Sequence, residues 1–286
     1  MLHGSFPPPI ALGAGRAAVR PTVSEAARAI EALAPLSLAE SWDRPGLQLG
    51  DPQAHLSTVV VALDPSPAAV TLALARGAEL LVTHHPLFLE PLHRLDLSTP
   101  QGRKIRDLLC GGVAVYAAHT NLDRARGGVN DRLAARLGLE EVEDLGAEPD
   151  GRPALGRVGR LATPRRLGEF AREAARALGA PTARVVGDPD RRVERVAVCG
   201  GSGASLWPAA REAGAQVLVT GDVRHHAALD AREAGMALVD VGHATGERVA
   251  VEILAGVVRD WGEAAKRGVR VEVLEVQEPW SPVPIS

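Results

Sequence analysis

Three short clusters of histidine and acidic residues in this sequence carry the ligand types that bind transition-metal ions. The clusters are His84–His85, His119–Asp123 and His243–Glu247. Imidazole nitrogens and carboxylate oxygens suit Zn²⁺, Mn²⁺, Fe²⁺ or Ni²⁺, and the order of affinities alone does not select one of these metals. A bridging carboxylate that holds two ions about 3.5–4 Å apart is a common device for activating water for hydrolysis. The sequence therefore predicts a two-metal site, with Glu247 as the candidate bridging ligand.

Each cluster also has an alternative structural interpretation. The adjacent histidines could lie in an ordinary surface loop, and Asn121 or Asp123 could cap the helix predicted near Val129. Glu247 could be an acidic residue in a first helical turn, where the helix dipole favours it. However, the spacing between His243 and Glu247 places both side chains on one helical face. All three clusters also follow apolar strands, at the sheet edge where open α/β folds bind ligands, and this joint placement favours metal binding.

Short apolar runs alternate with alanine-rich stretches along the chain, a pattern typical of an α/β protein with mostly parallel sheets. The predicted strands are residues 59–63, 80–83, 113–117, 156–161, 196–199, 216–220 and 237–240. The predicted helices are residues 22 or 24 to 35, 67–76, 102–109, 164–178, 205–213, 224–233 and 249–258. Since the strand-like runs are continuously apolar, we expect sheets that helices cover on both faces.

The second half of the chain looks like a copy of the first. Residues 76–83 match residues 213–220 in pattern, and the spacing between histidine and acid in the second cluster recurs in the third. We therefore expect two α/β lobes of similar topology, although convergent βαβ units would also produce this likeness. The expected parts are a tail at 1–21, lobe one at 22–124 with 243–278, lobe two at 125–242 with an insert-like or lid-like region at 140–194, and a tail at 279–286.

Composition argues against several functional classes. The net charge of −3 is spread along the chain without a dense basic block, and aromatic residues make up 3%, so nucleic-acid binding is not favoured. The first 21 residues lack a long apolar core, and we expect neither a secretory signal nor a membrane span. Two cysteines, Cys110 and Cys199, do not make a disulfide framework. Buried thiols in a cytoplasmic protein are the expectation.

These clusters and several further motifs resemble the GTP cyclohydrolase 1 type 2 family, also called the Nif-three-like dinuclear-metal proteins. The resemblance spans residues 23–258, and the motifs that carry it are residues 42–50, 83–87, 119–123, 200–203, 220–226 and 242–247. It implies two divalent ions per chain in a cleft between the two lobes. The ligands that it implies are His84, His85, Asp123, His243 and Glu247.

The same resemblance implies an assembly and an activity. The assembly is a toroidal homohexamer whose metal sites face an internal cavity, and the activity is hydrolysis of a purine nucleotide or a phosphoester. The chain departs from the family pattern at Arg44–Pro45, where the family has asparagine and a small apolar residue. This departure puts a substrate role for that loop in doubt and leaves the implied ligands unchanged.

Other residues near these motifs have competing interpretations. His226 is either an acid/base catalyst or a histidine on a helix surface. His119 contacts substrate, orients a metal ligand or, as the least favoured alternative, is itself a third metal ligand. With Glu247, these two histidines are the candidate catalytic residues. The glycine-rich segment 200–203 is either a tight βα turn or an anion site built from backbone amides. Trp42 is expected to be a packing residue.

Two functions from different classes remain open at this point. The first is a metal-dependent hydrolase, in which two ions lower the pKa of a water that attacks carbon or phosphorus. The second is a non-catalytic metal-binding protein that serves metal homeostasis or acts as a scaffold for partners. Metal quantification together with a screen of nucleotides and phosphoesters separates them, because full metal content without turnover favours the second.

Overall fold

The computed structural model describes residues 20–148, 150–264, 266, 268–276 and 278–280. Within these residues the α-helices are α1 (Val23–Leu33), α2 (Pro67–Arg76), α3 (Pro100–Cys110), α4 (Thr120–Arg124), α5 (Val129–Arg136), α6 (Leu167–Leu178), α7 (Trp207–Glu212), α8 (His225–Glu233) and α9 (His243–Ala264). The strands are β1 (Gly46–Leu49), β2 (Thr58–Ala62), β3 (Leu80–Thr83), β4 (Ala114–Ala117), β5 (Leu139–Asp144), β6 (Arg157–Arg166), β7 (Arg184–Val186), β8 (Arg192–Val198), β9 (Val217–Thr220), β10 (Ala237–Asp240) and β11 (Arg270–Val273). Most of the two predicted tails, at 1–21 and 279–286, lies outside the described residues.

The first sheet has five strands in the order β1-β4-β3-β2-β11. Three of its four described strand pairs are parallel, and β1 runs antiparallel to β4. Strands β2, β3 and β4 are buried along their whole length, as expected of apolar runs covered on both faces. The carboxyl ends of these parallel strands meet at one edge, and the first two histidine clusters follow β3 and β4 there.

The second sheet has six strands in the order β5-β6-β8-β9-β10-β7. Its centre, β8-β9-β10, is parallel, whereas β5, β6 and β7 join by antiparallel pairing, which makes the sheet mixed. The predicted insert-like region at 140–194 supplies most of β5, all of β6 and β7, and the start of β8. Because these strands hydrogen-bond within the sheet, the region is part of the sheet and not a separate lid.

The largest buried cluster joins the two sheets through α9. It contains Val61 and Val82 of the first sheet, Val198 and Val219 of the second, and Leu254 of α9, each at most 1% exposed. Helix α9 also packs against α1 and α5. Since burying an aliphatic side chain of this size contributes about 1.5–3 kcal/mol, this shared core fixes the start of α9 relative to the ends of β3 and β4.

Two helices that carry candidate ligands matter for the chemistry. Helix α9 begins at His243, so the third histidine cluster opens the helix as predicted, and the helix continues past the predicted apolar run 249–258. The segment after β4 forms the short helix α4, which carries Asp123. Helix α1 begins as predicted after Thr22, whose amide donates a 2.9 Å hydrogen bond to the Glu25 side chain, as in a capping box.

The structure bears on two expectations drawn from composition, the state of the cysteines and the absence of a membrane-spanning helix. Both cysteines are free thiols, but Cys110, the last residue of α3, is exposed while Cys199 is buried. The prediction of two buried thiols is therefore wrong for Cys110, which lies where α3 ends at the surface. Among the described residues, no helix combines the length and apolar character needed to cross a bilayer.

Candidate metal centre

The His84–His85 pair lies at the carboxyl end of β3, where backbone pairing with the chain after β2 continues. The His84 amide donates to the Ala62 carbonyl at 3.3 Å, and the His85 amide donates to the Leu63 carbonyl at 2.9 Å. The Thr83 hydroxyl donates to the His85 carbonyl at 2.7 Å and closes the turn. The two ring centroids are 5.2 Å apart, so both rings reach one region although neighbouring strand residues ordinarily face opposite sides.

The first turns of α9 bring two further groups to this region. His243 and Glu247 lie one helical turn apart on the same face, with 2.9 Å between Nε2 and Oε2. The same carboxylate oxygen lies 2.9 Å from Nε2 of His85, which is 162 residues away in the chain. Glu247 is 4% exposed, and both histidines therefore contact the same buried carboxylate.

His84 and Asp123 form another buried part of the centre, at 0% and 8% exposure. The Nδ1–H of His84 donates to the Ala118 carbonyl at 2.8 Å, and this bond directs Nε2 towards the carboxylates. The Nε2 atom lies 3.6 Å from both Asp123 Oδ1 and Glu247 Oε1, beyond hydrogen-bond distance. Neither His84 Nε2 nor Asp123 Oδ1 has a hydrogen-bond partner.

These unsatisfied atoms fit a metal ion. A buried polar atom without a partner costs about 1–3 kcal/mol, and coordination to a divalent cation would satisfy the nitrogen and the oxygen together. The side chains that could hold a metal form three groups, within each of which the ligand atoms lie within 4.8 Å of one another. The groups are His84–Asp123–Glu247, His85–His243–Glu247 and His84–His85–His119. Glu247 is the residue that the first two of these groups share.

Three of the histidines donate Nδ1–H to a carboxylate, and this leaves Nε2 available to a metal or a substrate. The pairs and their N–O distances are His85–Asp64 (2.7 Å), His243–Asp222 (2.8 Å) and His119–Asp43 (2.9 Å). Asp43 and Asp222 stand in the sequence only as parts of larger motifs, and Asp64 stands in none of the motifs. One signal was available, because Asp64 and Asp222 each stand two residues after the end of a buried strand.

The charges of the centre depend on these contacts. Burial alone would lower the pKa of His85, but hydrogen bonds to Asp64 and Glu247 raise it to about 10. The hydrogen bond to Glu247 is the main cause that raises the pKa of His243 to about 9. Burial alone would raise the pKa of Glu247, but the histidines hold it well below its usual range. Divalent ions must therefore compete with protons for these nitrogens.

The loop after β8 approaches the Glu247 carboxylate at Gly201. This glycine has a φ of +60°, and a Cβ atom there would lie 2.1 Å from Oε1 of Glu247. Both the backbone conformation and the close approach therefore require glycine. The amides of Gly200 and Gly203 already donate to side-chain oxygens 2.8 and 2.9 Å away. These bonds favour the tight-turn interpretation of the loop over an anion site.

His226 lies on a helix surface, as one of its two interpretations predicts, whereas Trp42 does not lie as predicted. His226 is exposed in the first turn of α8, its ring contacts that of His225, and it belongs to none of the three groups found among the described residues. Trp42 is 54% exposed, and its ring centroid lies 5.9 Å from that of His119. The prediction of a packing role for Trp42 is therefore wrong, because the ring lies beside the centre and faces solvent.

A family model described as Duf34/NIF3 (NGG1p interacting factor 3) matches residues 21–279. The chain belongs to the Duf34/NIF3 family. Two Duf34/NIF3 relatives, each named GTP cyclohydrolase 1 type 2 homolog, agree with the resemblance seen in the motifs. The Streptomyces coelicolor protein is 40% identical over 268 residues, which cover 91% of this chain and 94% of the relative. The Lactococcus lactis protein is 33% identical over 255 residues, which cover 88% and 95%. The predicted membership is thereby confirmed.

A solved structure supports the Duf34/NIF3 assignment at the level of the fold. The crystal structure of a Bacillus cereus protein related to NIF3 superposes with a TM-score of 0.87 at 26% identity. The match covers 92% of this chain and 99% of the B. cereus chain. The predicted α/β fold is confirmed.

Proposed function

We propose that this Duf34/NIF3 protein is a hydrolase that depends on two divalent metal ions. The position of Glu247 carries the proposal, because its Oε2 lies 2.9 Å from two imidazole nitrogens and its Oε1 lies 3.6 Å from a third. The proposed ligand sets are His84, Asp123 and Glu247 for one ion and His85, His243 and Glu247 for the other. Ions held in this way would lower the pKa of water and polarise an electrophilic carbon or phosphorus centre.

The residues around the ligands have distinct roles in this proposal. Asp64 and Asp222 accept the Nδ1 protons of the histidines that they hold, so that Nε2 of each ring faces the centre. Burial alone would raise the pKa of Asp43, but the hydrogen bond from His119 lowers it to about 2. Asp43 thus stays ionised and orients His119. Since neither ligand set needs His119, we assign its Nε2 the transfer of a proton to or from substrate.

The substrate class that we propose is a purine nucleotide or another phosphoester. The two relatives are named homologs of a GTP cyclohydrolase, and these names support a nucleotide whose ring would be opened by water. Attack of water on phosphorus would use the same ligands, because a two-metal centre serves both electrophiles. The metal identity stays open among Zn²⁺, Mn²⁺, Fe²⁺ and Ni²⁺, since the mixed nitrogen and oxygen set suits all four.

We also propose the larger organisation that the resemblance implies. The chain would divide into lobe one at 22–124 with 243–278 and lobe two at 125–242, with the metal centre in the cleft between them. The protein would assemble in the cytoplasm as a homohexamer. Light scattering tests the assembly, because the chain mass is 29.9 kDa and a clean monomer peak near that value contradicts it.

One observation favours a second candidate function, a non-catalytic metal-binding protein. Three of the proposed ligands, His84, Asp123 and Glu247, are at most 8% exposed. Such burial restricts the access of a substrate to one of the two ions and suits retention of metal in homeostasis or in a scaffold.

Metal analysis combined with a substrate screen decides between the two candidates. The wild-type chain should contain two metals, and GTP or a phosphoester should be hydrolysed. Glu247→Ala should abolish turnover together with at least one metal, whereas the exposed His226→Ala should retain the full metal content. Two metals per chain without turnover of any compound would favour the non-catalytic function, and a wild-type chain without metal would contradict both.

A further inference from the structure

A cavity of about 1040 Å³ opens beside the metal centre. His85 and His243 line the part of the cavity next to the metal centre, which we call the inner wall, and Lys104 of α3 and Trp280 also line the cavity. A volume of this order accommodates a nucleotide-sized ligand. The cavity therefore offers more room than a water molecule or a small anion at the metals would need.

Lys104 is the only lysine or arginine that lines this cavity among the described residues. Its ammonium donates one hydrogen bond, 3.0 Å long, to the carbonyl of Pro65, and two N–H groups stay available to a ligand. Pro65 directly follows Asp64, the acid that holds His85, so Lys104 stands close behind the metal ligands. The chain has only two lysines against 30 arginines, so lysine at this position departs from the chain's strong preference for arginine. Lysine places a compact ammonium group where arginine would place a planar guanidinium.

The other charged side chains of the cavity are acidic. Asp64 and Asp222 are already paired with histidines, and Glu278 accepts a 2.8 Å hydrogen bond from the Thr245 amide at the start of α9. Glu275 also lines the cavity and is exposed. An anion would therefore be repelled unless divalent ions make the inner wall positive. With ions held there, Lys104 extends the positive region outwards along one wall.

Trp280 gives the cavity an apolar face. Its side chain is 78% exposed, so the surface of the indole ring is accessible to a ligand. Leu87 and Leu274 line the same cavity and add to its apolar surface. A flat ring bound against Trp280 would gain stacking and apolar contact.

We propose that this cavity binds a phosphomonoester that carries a flat aromatic or purine ring. Lys104 would bind the phosphate group beside the metal centre, and Trp280 would stack on the ring. This inference rests on the proposed function, because the metal ions would supply the rest of the positive charge at the inner wall. It narrows the substrate class to compounds with an anion and a ring on the same molecule.

Binding of two phosphonates tests the proposal without any need for turnover. Phenylphosphonate carries a dianion and a ring, methylphosphonate carries the dianion alone, and neither has an ester bond to hydrolyse. Calorimetry would measure both affinities on the full-length, metal-loaded chain and its variants. Lys104→Met should weaken both ligands about 10- to 100-fold, because a hydrogen bond to a charged group is lost. Trp280→Leu should weaken phenylphosphonate alone, about 3- to 10-fold.

Controls separate this inference from the proposed function. Lys104→Arg should restore most of the affinity, and Arg106→Met, which removes an exposed charge from the same helix, should leave it unchanged. Metal content and melting temperature would be measured for every variant. A metal-loaded wild type that binds neither phosphonate, or a metal-loaded Lys104→Met with wild-type affinity, overturns this inference alone. A wild type that takes up no metal overturns the proposed function and this inference with it.

Discussion

The carboxylate of Glu247 lies among three imidazoles that come from two distant parts of the chain. A buried carboxylate ordinarily resists ionisation, but here the histidines hold the pKa of Glu247 well below its usual range. Its negative charge can be balanced either by protons on these histidines or by metal ions bound between them. Protons and metal ions therefore compete for the same nitrogens, and this competition has a measurable pH dependence.

We predict that apparent metal affinity rises steeply with pH. The pKa of His85 is about 10 and that of His243 about 9, so a metal bound to both must displace up to two protons at neutral pH. Below pH 9 the affinity should rise by up to about 100-fold per pH unit, tenfold for each proton displaced. Competition with a chelator between pH 6 and 8 measures this slope, and a flat profile would contradict the ligand assignment.

The same shifts predict a fall in the stability of the metal-free protein at high pH. Both histidines have a folded-state pKa above the ordinary value of 6.5. The stability that these two protonated histidines contribute to the folded state is therefore fully present below about pH 6.5 and is lost as pH rises through 9 to 10. Thermal melts of chelator-treated protein across this range should show a declining melting temperature. The melting temperature of metal-loaded protein, whose histidines are already deprotonated, should decline less.

Asp64→Asn tests whether the acids that hold the histidines matter for metal binding. The asparagine keeps the shape of the side chain but removes the negative charge that accepts the Nδ1 proton of His85. Loss of such a partner typically costs 10- to 100-fold in metal affinity, and we expect a loss of about this size. Asp260→Asn, an exposed acid on α9, is the matched control. Equal affinities in the two variants would show that Asp64 does not orient a ligand.

At the scale of elements, the sequence predicted the parallel strands well because their apolar runs are buried on both faces. Residues 80–83 and 237–240 were predicted at the bounds that the structure has. The apolar spacing marks only residues 249–258 of α9, and the polar first turn was predicted from the spacing of His243 and Glu247. The antiparallel additions β5 and β7 were also missed, since their exposed residues give no continuous apolar run.

The loop between β8 and α7 controls the position of Glu247, and Gly201→Ala tests this. The new Cβ would fall 2.1 Å from Oε1 of Glu247, and alanine is also strained at a φ of +60°. We expect the carboxylate to be displaced, with metal content reduced to one ion or none and stability lowered by about 1–3 kcal/mol. Metal analysis and urea unfolding measure the two effects.

Gly256→Ala provides the control for that substitution. Gly256 lies in α9, and no atom would come within 4 Å of a Cβ atom there. Alanine is favoured over glycine in a helix by about 1 kcal/mol, so this variant should be slightly more stable and keep its metals. A Gly201→Ala protein with wild-type metal content would show that the loop does not hold the carboxylate in place.

At the scale of the whole molecule, the centre joins parts of the chain that the fold alone brings together. The candidate ligands could be read from the sequence because each cluster is local. The roles of the carboxylates that orient them could not, since Asp64 is 21 residues from His85, Asp222 is 21 residues from His243, and both contacts exist only in the folded chain. The cavity beside the centre was likewise beyond sequence analysis, because α3 and the C-terminal segment come to line one cavity with His85 and His243 only in the folded chain.

This long-range arrangement predicts that metal removal destabilises the entire protein. The Glu247–His85 contact links residues 162 positions apart, and an ion bound there would exist only in the folded state. At a free metal concentration 100 times Kd, each occupied site adds about 2.7 kcal/mol to the free energy of unfolding. This increase corresponds to a melting temperature roughly 5–10 °C higher. Scanning calorimetry with and without chelator measures the shift.

Two variants test which ligand the ions share. Asp123→Ala should retain part of the shift in melting temperature, because only one of the two proposed ions loses a ligand, whereas Glu247→Ala should remove nearly all of it. An equal shift in both variants would mean that Glu247 does not bridge two ions.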